Sequence, residues 1–406
     1  MSYSHPTQIQ RSKTLHCIEW TGDRIRIPDA DARGDTHPMT WASDDGIYIG
    51  TGDPMYMMEN GKKVVTGYFD SDLEKNWHIY ERITGSCVER LGGTPENMTL
   101  ERINDLPGFT GWGGNGAKPT GMVSVKGVLY YALQNLLGWK PPHFGSHCQH
   151  GSDVSIISSC DFGKTWEPDL NPLFDLFHRE LLNSSPGKTH WANRSVEWKA
   201  PYYERGSYKG WSPMFPGDWF GGPSFVQFGK DNSTAVDDYV YAVSADQFDN
   251  GTNLRLGRVK NDSILDAKKW EFATKEEDGF TWTNDLFSSD PVLEIYRHIS
   301  IPEMVYIESI KKYLLFTWAF HSDFDPNRGS ELTVLESDHP WGPFFLVHYD
   351  WIWYKEEAGC YCPRLPLKWF DEKSLSGWLE FSGNYLRSRD LPYYAPQVRP
   401  FKIIYN

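Results

Sequence analysis

The segment from Gly34 to Pro54 carries the densest set of reactive side chains. Asp35 and Asp53 each follow a glycine and flank Thr40–Tyr48, which reads as a hairpin with Asp44-Asp45-Gly46 as its turn. A hairpin folds residues so spaced back toward each other, so both carboxyl groups can reach one end of the same sheet. Two carboxyl groups on either side of a scissile bond are what glycoside hydrolysis uses: one protonates the leaving oxygen, the other attacks or activates water. The competing role is turn capping, for which Asp is a favoured residue. His37 stands two residues from Asp35, on the same face if the backbone is extended. It is a candidate for binding a sugar hydroxyl or serving as a base. Trp41, in the same segment, is a candidate substrate contact.

Further candidates lie along the chain. Glu303, in Ile301-Pro-Glu-Met-Val305, opens an expected strand and is a third candidate catalytic carboxylate. Ser146-His147-Cys-Gln-His150 is a second polar cluster. Its H-x-x-H spacing without a third ligand is a weak metal signal, so His147 and His150 are taken as substrate contacts. Trp112, in the glycine-rich run ending at Lys118-Pro-Thr120, is a candidate sugar platform, and Lys118 a candidate contact. The run lacks the Lys-Ser/Thr ending of a phosphate loop. Arg364 could pair with an acidic sugar or close a structural ion pair. No nucleophile elbow, zincin, phosphate-loop or dinucleotide signature occurs, which disfavours serine-hydrolase, zinc-protease, nucleotide and nicotinamide chemistry.

The elements that would hold these side chains are short. Runs such as Gly46–Gly50, Val123–Ala132, Asp238–Val243 and Lys312–Thr317 are rich in Val, Ile, Tyr, Phe and Trp and are bounded by turn residues, as strands and hairpins are. Helical periodicity is scarce; 173–182 is the best short candidate. A strand–turn–strand unit recurs with an aromatic marker at Tyr48, Tyr130, Tyr239, Tyr313 and Trp378. Five such units in 406 residues leave about 81 residues each, which suits a four-stranded propeller blade with long loops. The expected fold is therefore all-β: one β-propeller over 1–406, with five blades and with six or seven as alternatives. Residues 1–30 would supply an N-terminal closing strand and 386–406 a C-terminal one. Ser159-Cys-Asp161-Phe-Gly163-Lys-Thr165-Trp166 matches the S-x-D-x-G-x-T-W Asp-box, a structural turn in which Asp caps backbone N–H groups and Trp wedges between sheets.

Composition narrows the function. The formal charge is −14, and aromatic residues make up 15% of the chain. An acidic chain disfavours nucleic acid and anionic membrane surfaces as partners, and no apolar run approaches a membrane span. Aromatic rings in such number suit β packing and stacking against sugar faces. Six cysteines are too sparse for a disulfide framework, and the N-terminus shows no signal-peptide pattern. The literal reading is cytoplasmic, or secreted if the chain is a processed form.

Gly34–Pro54, Lys118–Tyr131, Ser224–Arg258 and Met304–Phe316 resemble, as dispersed motifs over most of 30–385, a β-propeller family long catalogued as a domain of unknown function. Its characterised members include bacterial endo-D-arabinanases. The resemblance implies a glycoside hydrolase in which the first-blade pattern, G-D, a hairpin, then G-D, carries acidic catalytic residues; Asp35 and Asp53 fall on those positions. His37-Pro38 and the insertion around 141–150 depart from the pattern. The expectation is a carbohydrate-active enzyme acting on a plant, algal or microbial oligo- or polysaccharide. A lyase acting on a uronate-containing glycan through His or Tyr and a basic residue is the alternative, and a non-catalytic glycan- or protein-binding propeller the second. No cofactor is expected; a structural Ca²⁺ in the channel is the one metal left open.

Overall fold

The computed structural model describes residues 2–26, 34–52, 54, 56–59, 62–65, 84–107, 118–134, 154–168, 213–277, 279–322, 325–355, 358–384 and 394–406. Among them the regular structure is strand, with only single-turn 3₁₀ segments besides. No helix there is long and apolar enough to cross a membrane. The strands form five sheets of three or more strands and one two-stranded ribbon, in a β-propeller arrangement.

Each sheet is built on an antiparallel meander that starts from an inner strand; the third also gains Ser2–Tyr3, paired parallel to Leu293–Ile299. The first runs Met39–Trp41, Ile47–Gly52, Thr84–Gly92, Thr99–Pro107; the second, Lys118–Val125, Val128–Gln134, Ser155–Ser159. The third begins Gly222–Phe225, Tyr239–Ala245, Gly251–Lys260, then continues to Leu293–Ile299 and carries an extra hairpin, Glu271–Glu276 with Gly279–Thr283. The fourth runs Glu303–Ile307, Lys312–Phe320, Ser330–Ser337, Phe345–Asp350. The fifth takes Tyr361–Arg364, Ser376–Ser382 and Pro396–Tyr405 from the C-terminal part of the chain, and Leu15–Trp20 from the N-terminal part as its outer strand. The five aromatic markers lie in the second strands of the five sheets in turn.

Packing explains the composition. Inner strands such as Lys118–Val125 and Glu303–Ile307 are buried at every residue, because a strand between two neighbouring sheets has no solvent face. Five apolar clusters fill the seams: first against second sheet, second against third, third against fourth, fourth against fifth, and fifth against first. Trp270 and Trp318 are fully buried in two of them, each such burial stabilising by about 2–3 kcal/mol. The sheets approach closely at glycine. A Cβ on Gly121 would stand 2.6 Å from the Pro223 carbonyl oxygen on the next sheet, and one on Gly50 2.3 Å from the Tyr131 hydroxyl.

The Ser159–Trp166 turn is stitched by its own side chains. Asp161 accepts from the Thr165 N–H (2.9 Å) and the Thr165 hydroxyl (2.6 Å), and Ser159 Oγ accepts from the Gly163 N–H (2.8 Å). Gly163 takes a φ of 86°, and Trp166 is buried in the seam between the first and second sheets.

Candidate functional site

Asp35 sits just ahead of the first inner strand, at the end of the ring where the inner strands begin; this end is called the mouth below. Its backbone pairs reciprocally with Gly52, N–H to carbonyl at 2.8 Å in both directions. Asp35 is 9% exposed, and its Oδ2 accepts a hydrogen bond from the Tyr361 hydroxyl at 3.0 Å. Tyr361 opens the fifth inner strand and packs its ring against Trp318 and Phe320 of the fourth sheet. A fixed phenol donor orients the carboxylate.

Deeper along the axis lies a fully buried ionic cluster. Arg364 donates from Nε to the Thr36 carbonyl (3.1 Å) and from Nη2 to that of Thr120 (3.4 Å). Its Nη1 donates to Ser224 Oγ (3.1 Å), to the Pro302 carbonyl (2.9 Å) and to Glu303 Oε2 (3.0 Å). One guanidinium on the fifth sheet thus binds residues associated with the other four. Glu303 is as buried as its partner, and burial pushes its carboxyl up to about 7, against the opposing pull of Arg364 and Ser224. His37 Nδ1 lies 2.8 Å from Glu380 Oε1, both side chains being inaccessible to solvent. Burial raises the Glu380 carboxyl as well, with His37 and Arg364 opposing. Glu303 Oε1, Glu380 Oε2 and His37 Nε2 have no protein hydrogen-bond partner among the described residues.

The candidates named from sequence therefore separate. Asp35 is at the mouth, Lys118 is buried at the start of the second inner strand, and His37, Glu303 and Arg364 belong to the axial cluster. Asp35 and His37 engage different partners, Tyr361 and Glu380, because the backbone between them is not extended: φ is 66° at Thr36 and 29° at His37. Trp41 lies at the opposite end of the inner strands. Its Nε1 donates to Asp45 (2.9 Å), and it borders a shallow recess with Met39, Gln227, Leu365 and Leu367. Asp53, Trp112, His147, His150 and the helical candidate 173–182 lie outside the described residues. Among the described residues no group of three or more His, Cys, Asp or Glu side chains is placed to hold a metal ion.

Sequence reasoning missed Tyr361 and Glu380. The strand Tyr361-Cys-Pro-Arg364 was read for its arginine alone. In a regular strand residues three apart face opposite sides. A bulge between Tyr361 and Arg364, with Cys362 at φ 52°, gives both side chains partners among the residues that open the inner strands.

No protein-family model matches this sequence, and no curated protein matches it. Solved structures similar to it include an α-L-arabinofuranosidase from Podospora anserina in complex with cellotriose, at 9% identity, covering 96% of this chain and 98% of that one with a TM-score of 0.44. A protein of unknown function from Dyadobacter fermentans is 10% identical over 95% of this chain and 99% of its own, with a TM-score of 0.47. An α-L-arabinanase variant from Cellvibrio cellulosa is 11% identical over 92% and 96%, with a TM-score of 0.42. At such identities and TM-scores the likeness says nothing of activity.

Proposed function

We propose that the chain is a single five-bladed propeller whose mouth is a glycan-processing site, and that its chemistry is glycoside hydrolysis with Asp35 as one of the reacting carboxylates. The observation that carries the reading is the Asp35 carboxylate itself, largely buried at the mouth and held by the Tyr361 hydroxyl. Five sheets, five intervening apolar seams and the Arg364 contacts support the blade count. In this reading Asp35 attacks the anomeric carbon or takes a proton from water, and the carboxyl of Asp53 protonates the leaving oxygen. Gly52, which precedes Asp53, is the backbone partner of Asp35. Glu303, Arg364 and His37 brace the axis rather than touch substrate. The Ser159–Trp166 turn acts as an Asp-box that ties the second sheet to the first.

The test is Asp35→Asn and Asp53→Asn against a panel of arabinan, xylan, galactan and uronate-containing oligosaccharides. Each variant should fold normally and lose about 10²–10⁴-fold or more in kcat with little change in KM. Activity retained per folded molecule would return both residues to a turn-capping role. An unsaturated, ultraviolet-absorbing product from the wild-type protein would mean elimination rather than hydrolysis.

A further inference from the structure

The loop leaving the outer strand of the fourth sheet presents Trp351 and Ile352, 51% and 56% exposed. Trp351 is held in place. Its ring stacks on that of His321 at 3.9 Å between centroids and 10° between planes. His321 in turn reaches two backbone carbonyls, Trp351 O from Nε2 at 2.6 Å and Arg328 O from Nδ1 at 3.0 Å. The bracket joins the loop after Lys312–Phe320 to the loop after Phe345–Asp350 and leaves one indole face turned to solvent.

The position is as informative as the rigidity. Phe320, next to His321, packs its ring 5.9 Å from that of Tyr361, whose hydroxyl binds Asp35. Trp351 therefore stands on the rim of the same mouth, above the second strand of the fourth sheet. The loop that carries His321 is itself polar, with Ser322, Asn327 and Arg328 exposed along it. Two apolar side chains fall far short of the roughly 800 Å² per partner that a stable protein interface buries. A single flat ring, fixed in place and half exposed, is the size of one sugar unit, whose C–H face can stack on it.

We infer that Trp351 is a distal positioning residue, stacking against a sugar ring of a substrate chain whose cleaved bond lies at Asp35. The inference rests on the glycan-processing reading of Asp35 and adds that the site takes chains long enough to span from mouth to rim. The test compares wild type, Trp351→Ala and Trp351→Phe on the dimers and hexamers of linear arabino-, xylo- and galacto-oligosaccharides. For the series that wild type cleaves, Trp351→Ala should raise KM for the hexamer roughly three- to tenfold. It should leave kcat and both constants for the dimer unchanged. Trp351→Phe, which keeps an aromatic face, should recover most of the hexamer KM. If wild type cleaves the hexamer and Trp351→Ala leaves its KM unmoved, or shifts dimer and hexamer equally, the platform is overturned while the Asp35 reading stands. If wild type neither binds nor cleaves any of the probes, the Asp35 reading falls and the platform with it.

Discussion

Replacing Arg364 by Met tests whether the axis is held by charge. The substitution roughly conserves length and apolar volume but removes every donor that Arg364 offers to Thr36, Thr120, Ser224, Pro302 and Glu303. Breaking a buried ion pair by deleting one partner costs about 3–5 kcal/mol, because the remaining charge stays buried and uncompensated. The carbonyls left without a donor add about 1 kcal/mol each where they cannot find another. The charge part depends on pH in a direction the structure fixes. Glu303 has a carboxyl raised from 4.5 to about 7, so the folded protein holds its proton more tightly than the unfolded chain does. Its contribution to stability is fully present below pH 4.5 and is lost as the pH rises through about 7; for an isolated group the loss is about 3 kcal/mol. At pH 5 Glu303 is largely neutral and needs no cation; at pH 8 it is charged. Without Arg364 the buried Glu303 carboxyl stays protonated to higher pH, so urea denaturation followed by tryptophan fluorescence at the two pH values should show a deficit for Arg364→Met that is larger at pH 8 by about 1 kcal/mol, the most that one pH unit above about 7 allows being about 1.4 kcal/mol. Arg364→Met combined with Glu303→Gln should recover that difference. A deficit equal at both pH values, or a double variant as unstable as the single one at pH 8, would refute the reasoning.

Two other substitutions have definite outcomes. Tyr361→Phe keeps the ring packed against Trp318 and Phe320 and removes only the donor to Asp35; kcat should fall about tenfold, the equivalent of one charge-assisted hydrogen bond, with KM and melting temperature nearly unchanged, as steady-state kinetics and a thermal melt would show. Gly121→Ala forces a Cβ to within 2.6 Å of the Pro223 carbonyl oxygen and should cost about 1–3 kcal/mol in a denaturant titration, since backbone cannot swing aside as a side chain can.

The strands were legible because their composition is local information. Short runs of β-branched and aromatic residues between turns suffice to place them, and the five aromatic markers fall in five successive second strands. The site was less legible because its geometry comes from departures from regularity. Extended backbone would align His37 with Asp35, but positive φ angles at Thr36 and His37 send them to different partners. A regular strand would set Tyr361 and Arg364 on opposite faces; the bulge at Cys362 lets both work at the axis. Nothing in Leu379-Glu380-Phe381 distinguishes Glu380 from any strand glutamate, because its meaning depends on a residue 343 positions away, His37.

The pairing of Leu15–Trp20 with Pro396–Tyr405 has a consequence for how the protein forms. The fifth sheet cannot acquire its outer strand until residues near 405 are available, so the seams against its neighbours must wait on contacts spanning nearly the whole sequence. Loop-closure entropy rises only slowly with separation, but such contacts come late, and folding dominated by them is slow. Until then the earlier sheets stand as an open stack with an unpaired edge, the state most exposed to association with another copy. Once formed, the same clasp ties residue 14 to residue 406, with the Asn406 N–H bonded to the Thr14 carbonyl at 3.0 Å, while the residues before it run on across the ring, Arg11 bridging Leu346 of the fourth sheet and Ser2–Tyr3 pairing with Leu293–Ile299 of the third. The N-terminal segment thus fastens the fifth, fourth and third sheets together from outside, a strap that can be laid down only after those three sheets exist.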